Sequence, residues 1–248
     1  MTREVRLFFT ALMFFTRIPC ARWAGSSEED LNGASKYFPL VGILIGLAAA
    51  AVYLIAMEVF PLELAILLTM AATLLLTGAF HEDGLADAAD GFGGGWEKEQ
   101  VLTIKQDSRL GSYGTLTIFM ALLIKFQALV HLNPTLIPII LVAGHALSRF
   151  CAVLVISSQQ YVRASGKAKP LATRLSKGGL VIAALCGLAP LALLSPFMLW
   201  SLVPVALLWL WFSRLLQRRL GGYTGDCLGA MQQLCELTFY LGILGLSH

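Results

Sequence analysis

The sequence predicts an all-α, polytopic integral membrane helix bundle, and three observations lead there. Of 248 residues, 57% are hydrophobic. Only 13% are charged, where an ordinary soluble domain carries roughly 25%. Several apolar stretches reach the roughly 17–25 residues that cross a bilayer as a helix, and none shows the alternation of a membrane β-strand. About seven spans follow: residues 37–57, 62–80, 113–132, 135–156, 179–194, 197–212 and 228–246. Neither a linker nor a tandem repeat interrupts them, so residues 1–248 read as one membrane-embedded domain.

Before the first span, Arg3 and Arg6 precede a short apolar run, residues 7–15. Arg17, Ile18 and Pro19 then stand where a signal peptide would carry a small-residue cleavage site, so this run is expected to remain as an interfacial or re-entrant segment. The later loops alternate in character. Those around Pro61, Pro134 and Pro196 are short and hold no Lys or Arg. Every Lys and Arg except Lys125 and Arg149 falls in residues 1–36, 81–112, 157–178 or 213–227. The positive-inside rule therefore places these longer polar segments in the cytoplasm, where the chemistry is expected. A net charge of +3 is too small to argue for a nucleic-acid partner; the partner that composition implies is the lipid bilayer. Five cysteines without a CxxC pair suggest reduced or buried thiols rather than a disulfide framework.

Residues 81–95 follow the second span and concentrate four of the fifteen acidic residues: Glu82, Asp83, Asp87 and Asp90. The three aspartates are spaced i, i+4, i+7, one stripe of a helix. Like charges so placed repel, and a bridging cation compensates them. Oxygen donors with no Cys–His pattern favour Mg²⁺, or Mn²⁺, over Zn²⁺. A solvated helix face is the plain alternative, but an acidic stripe opposes the basic bias of this leaflet. Gly84 and Gly91, each after an aspartate, suggest room for a phosphate beside the backbone.

Further along, Lys105 and Arg109 flank Asp107, offering a further metal ligand and a planar anion clamp. Lys125 and Arg149 lie within spans, where ionisable groups are costly and need a partner or a polar cavity. Residues 159–177 hold five basic residues, among them Arg163, and no acid, which suits an anionic substrate or anionic lipid equally. Asp226 follows a glycine-rich turn and leads into a span carrying Gln232, Gln233 and Glu236, residues suited to a shared cavity or to a helix–helix contact. His81 reads as a ligand, a base or a structural hydrogen-bond partner of the carboxylates.

Taken together, Phe15-Thr16-Arg17-Ile18-Pro19, Phe38-Pro39-Leu40-Val41-Gly42, residues 81–91, Asp107-Ser108-Arg109-Leu110-Gly111, Tyr161-Val162-Arg163 and residues 221–229 resemble the cobalamin synthase (adenosylcobinamide-GDP ribazoletransferase) family over nearly the whole chain. The resemblance implies an Mg²⁺-dependent phosphotransferase in the bacterial inner membrane. Its substrates would be adenosylcobinamide-GDP and α-ribazole or its 5′-phosphate. GMP would leave, completing the cobalamin nucleotide loop; other enzymes of that loop are candidate partners, and an oligomer is compatible with it. Metal ligands would be Asp83, Asp87, Asp90 and Asp107, with Glu82 at a position that varies in the family. Asp83, Asp87, Asp90 and Arg109 would serve catalysis. His81, Lys105, Lys125, Arg149, Arg163 and Asp226 would bind substrate. A phospholipid-type CDP-alcohol phosphotransferase is the nearest alternative, but its motif sets Ala-Arg after Asp-Gly-x-x, and here Asp87 follows Asp83-Gly84-Leu85-Ala86 directly.

Overall fold

Residues 2–105, 109–162 and 175–247 are described in a computed structural model of the chain. They form α1 (Arg3–Phe15), α2 (Glu28–Ala34), α3 (Phe38–Met57), α4 (Leu62–Thr77), α5 (Phe80–Gly94), α6 (Lys98–Ile104), α7 (Ser112–Val130), α8 (Ile137–Ser158), α9 (Lys177–Leu188), α10 (Leu202–Leu220) and α11 (Gly225–Leu246). Among the described residues the β pairing is one isolated bridge, Tyr161 with Tyr223. The all-α membrane architecture is therefore as expected.

Among the described residues, five helical stretches are long and apolar enough to cross a bilayer: Glu28–Met57, Ser112–Val130, Ile137–Ser158, Pro196–Leu220 and Gly225–Leu246. Counting the bent pair of α4 and α5 as one span makes six, against the seven or so that the sequence suggests. The two discrepant segments have physical causes. Residues 62–80 yield only the 16 residues of α4, which at 1.5 Å per residue extend about 24 Å, less than the ~30 Å hydrocarbon core. Residues 179–194 give the 12-residue α9 and then a 3₁₀ turn, Ala189–Leu193, begun by Pro190, which cannot continue an α-helical ladder.

Helix α8 is the centre of the bundle: 83% of its apolar window is buried, against 22% for α7. Helix α3 lies along it most extensively, and the reason is in its glycines. A Cβ on Gly42 would stand 2.3 Å from the His145 carbonyl oxygen, and one on Gly46 2.5 Å from Val142 Cα. This small-x-x-x-small ridge lets two backbones touch, the packing by which membrane helices associate where lipid supplies no hydrophobic drive. At the end near Pro134, Tyr53 donates to the Pro134 carbonyl at 3.1 Å. Helix α1 has 13 residues, too few to cross, and buries Leu7, Ala11, Leu12 and Phe15 along one side.

The chain turns through 86° between α4 and α5. Gly78 and Ala79 both take left-handed backbone angles there, φ +65° and +54°, and the Arg17 N–H donates to the Leu76 carbonyl at 2.8 Å. The corner therefore lays the acidic helix across the end of the bundle instead of prolonging α4.

Candidate active site

Helix α5 has two faces. His81, Glu82, Gly84, Leu85, Ala86, Ala88 and Gly91 are buried; Asp83 is exposed, and Asp87 and Asp90 are half-buried. The aspartates read from the sequence as a stripe thus share one helix, with Asp83 the most exposed. The buried face crosses α11 closely: a Cβ on Gly84 would lie 3.0 Å from the Asp226 carbonyl oxygen and 3.2 Å from Gly229 Cα. One on Gly91 would lie 2.5 Å from Lys105 Cγ. The space that these two glycines suggest for a phosphate is filled by protein, and their role is close packing.

Asp90 holds the start of α7. Its Oδ2 accepts from the Gly111 N–H at 2.7 Å and its Oδ1 from the Gly114 N–H at 2.8 Å, so a carboxylate meets two of the orphan donors at a helix N-terminus. Lys105 is buried against the start of α11. Its ammonium donates to Thr224 Oγ1 at 2.9 Å and approaches Cys227 Sγ at 3.1 Å and Asp226 Oδ2 at 3.6 Å. Lys105 and Asp226, both expected to bind substrate, are thereby brought together. In the turn before α11, burial pushes the Tyr223 phenol well above its usual range, so it remains neutral. Its N–H donates to the Gln160 carbonyl at 2.9 Å and its carbonyl accepts from Val162 at 3.0 Å. Arg109 is exposed just before α7, while Asp107 and Arg163 lie outside the described residues.

A second set of polar groups runs through the bundle. Glu236 accepts from Lys125 at 2.9 Å on Oε1 and from Gln232 at 2.6 Å on Oε2, and His145 Nδ1 lies 3.0 Å from that second oxygen. Nδ1–H donation to this carboxylate leaves that nitrogen unable to accept from Arg149, whose Nη1 lies 3.3 Å away. The guanidinium donates instead to the His145 carbonyl at 3.0 Å. Gln233 joins Lys125 at 2.8 Å, Gln232 at 2.8 Å and Glu82 Oε1 at 2.9 Å. Gln232 also donates to Ser148 at 2.9 Å.

Lys125 is therefore an ion-paired core residue, not a snorkelling one. Glu82 is turned inward to this network, away from the exposed Asp83, and the structure does not bring it to the aspartate stripe. Sequence reasoning passed over His145 and Ser148, although their i, i+3, i+4 spacing with Arg149 marks a polar stripe on an otherwise apolar span.

A cavity lies where α1, α3, α5, α8 and α11 meet. Phe14, Phe15, Phe38, Phe80, His81 and Arg149 line it beside the first turns of α11. His81 stacks on Phe15 with ring centres 5.1 Å apart.

The family model for cobalamin-5-phosphate synthase matches residues 7–244. The chain belongs to this family. Among curated relatives, the adenosylcobinamide-GDP ribazoletransferase of Shewanella frigidimarina is 47% identical over 255 residues, covering 99% of this chain and 96% of the relative. The enzyme of the same name from Ralstonia pickettii is 48% identical over 242 residues, covering 95% and 94%. No solved structure matches the chain. The cobalamin-5-phosphate synthase match takes in every segment on which the sequence resemblance rests, from Phe15 to Gly229.

Whether the residues suit a divalent cation is a matter of donors. Among the described residues no group of three or more His, Cys, Asp or Glu is placed to hold a metal. The exposed Asp83 and the half-buried Asp87 nevertheless lie one turn apart on α5. Mg²⁺ commonly takes only one or two carboxylates and completes its shell with water and substrate phosphates, so these donors fit it.

Proposed function

We propose that the chain is an adenosylcobinamide-GDP ribazoletransferase of the bacterial inner membrane, with its active site on the cytoplasmic face. The family match across residues 7–244, with relatives of that name at 47–48% identity, carries the reading. The basic-residue distribution supports the orientation, because α5, α6 and the start of α11 belong to the Lys- and Arg-bearing loops.

In the transfer, a ribose hydroxyl of α-ribazole, or of its 5′-phosphate, attacks the phosphorus on the cobinamide side of the diphosphate. A new P–O bond forms, the bond to the bridging oxygen breaks, and GMP leaves with that oxygen. Asp83 and Asp87 would hold Mg²⁺, whose charge when bound would offset that of the diphosphate. Both oxygens of Asp90 are engaged by backbone N–H groups, so Asp90 fixes α7 against α5 and is not placed to receive the hydroxyl proton. Arg109 stands at the junction between Asp90 and α7, where a guanidinium can meet equatorial phosphate oxygens. Lys105 and Asp226 lock the first turn of α11 beside α5.

The test uses purified protein in liposomes given adenosylcobinamide-GDP and α-ribazole, with GMP and corrinoid product both quantified. Equimolar GMP and nucleotide-loop corrinoid, absent when α-ribazole is omitted, is the expected result. Equal GMP release without α-ribazole would make the chain a hydrolase and overturn the reading.

A further inference from the structure

Helices α8 and α10 both end toward the Lys- and Arg-rich loops, and a groove opens between their last turns. Ser158 and Gln160 line one side of it, and Trp209, Leu210, Arg214 and Gln217 the other. It holds about 640 Å³, within the range of about 300–1,000 Å³ usual for small-molecule pockets. Two side-chain hydrogen bonds fix its frame: Trp209 Nε1 donates to the Cys151 carbonyl at 3.0 Å, and Gln159 Nε2 to the Ser213 carbonyl at 2.9 Å.

The order of residues along α10 grades this groove by polarity. Val203, Leu207, Leu210, Arg214 and Gln217 are spaced i, i+4, i+7, i+11, i+14, one stripe of a helix, and all five are exposed. Toward the end of α10 the stripe passes from aliphatic side chains to a guanidinium and then an amide, with Arg214 about 10 Å beyond Leu207. An amphiphile lying along the helix has the same order: acyl chain, phosphate, polar headgroup. Arg214 forms no ion pair among the described residues, and its exposure leaves it able to reach a ligand. Among the described residues the lining includes no carboxylate, so the ammonium of a zwitterionic headgroup would find no counter-charge there.

We propose that this groove binds an anionic phospholipid of the adjoining leaflet, the cytoplasmic one in the orientation given above, with its phosphate on Arg214 and its polar headgroup beside the amides of Gln160 and Gln217. Anionic lipids are concentrated in that leaflet, and basic pockets between membrane helices on that side recognise their headgroups. A free phosphate would meet Arg214 equally well but leaves the aliphatic half of the stripe unexplained. The site is separate from the carboxylates of α5, and its occupancy is independent of the transfer reaction.

The test is native mass spectrometry of the purified full chain in detergent, titrated with dioleoylphosphatidylglycerol or dioleoylphosphatidylcholine. Four proteins are compared: wild type, Arg214→Gln, the groove-filling Ser158→Trp, and Arg218→Gln, which removes an exposed charge one turn further along α10 and outside the lining. Wild type should bind one phosphatidylglycerol about fivefold or more tightly than phosphatidylcholine, the scale of one arginine at a lipid headgroup. Arg214→Gln should abolish that preference, Ser158→Trp should weaken phosphatidylglycerol binding by a similar factor, and Arg218→Gln should keep it within about twofold of wild type. Inorganic phosphate should not displace the lipid. An undiminished preference in Arg214→Gln, or an equal loss in Arg218→Gln, would overturn the site, the latter in favour of diffuse surface charge. Displacement by inorganic phosphate would overturn it in favour of a free-phosphate site. Because binding alone is read, with lipid offered from solution, a failed result leaves GMP release and the membrane orientation to be judged by their own measurements.

Discussion

Glu236 gathers Lys125, His145 and Gln232 within 3.0 Å, inside a span and 1% exposed. A buried ion pair is costly to assemble, but breaking it by removing one partner strands a charge, at about 3–5 kcal/mol. Glu236→Gln is therefore predicted to lower stability by that order in detergent thermal unfolding. Adding Lys125→Met to it should restore part of the loss, since no lone ammonium remains. A double variant less stable than the single would contradict the pairing. Asp90 makes a different prediction. Asp90→Ala removes two hydrogen bonds from the first turn of α7 and should cost about 1–2 kcal/mol, seen as faster amide exchange at Gly114 and Thr115. Unchanged exchange there would count against the tether. At this scale the sequence shows which polar residues are anomalous but not whom they meet: Lys125 and Glu236 are 111 residues apart, and no local spacing records such a contact.

The acidic helix was legible as an element because its i, i+4, i+7 period is local. Its direction was not. The turn of 86° depends on left-handed angles at Gly78 and Ala79, and an alanine there carries no signal of a break. A left-handed angle at a residue with a Cβ costs about 1–2 kcal/mol, so Ala79→Gly is predicted to raise stability by up to about 1 kcal/mol with the transfer rate unchanged. A fall in stability would show that Ala79 is held by contacts worth more than its strain. The glycines of α3 and α5 illustrate the same limit. Gly42, Gly46 and Gly84 read as ordinary or phosphate-facing residues until the helices against them are known. Similarly, residues 179–194 are apolar enough for a span, and only Pro190 hints that the α-helix stops short.

For the molecule as a whole, composition and the placement of Lys and Arg sufficed to read the class and predict the orientation, because bilayer physics acts on sums over segments. That orientation predicts opposite labelling of two single cysteines, Trp96→Cys and Asn133→Cys, in a background without the five native thiols. A membrane-impermeant maleimide applied to intact cells should modify the second and spare the first; the reverse pattern would invert the topology. The site combines what was read and what was not. The three aspartates were read as one stripe of a helix, whereas the aromatic cavity needed five helices, from Phe14 to Gly229, to be assembled. The central claim is that α5 carries the chemistry of transfer. It is tested most directly by α-ribazole-dependent GMP release from protein in liposomes, comparing wild type with Mg²⁺, wild type with EDTA, and Asp83→Asn. Loss of about 10²-fold or more in both of the latter is predicted, the scale expected when transition-state charge loses its stabilising group. Release by Asp83→Asn at the wild-type rate would contradict the account.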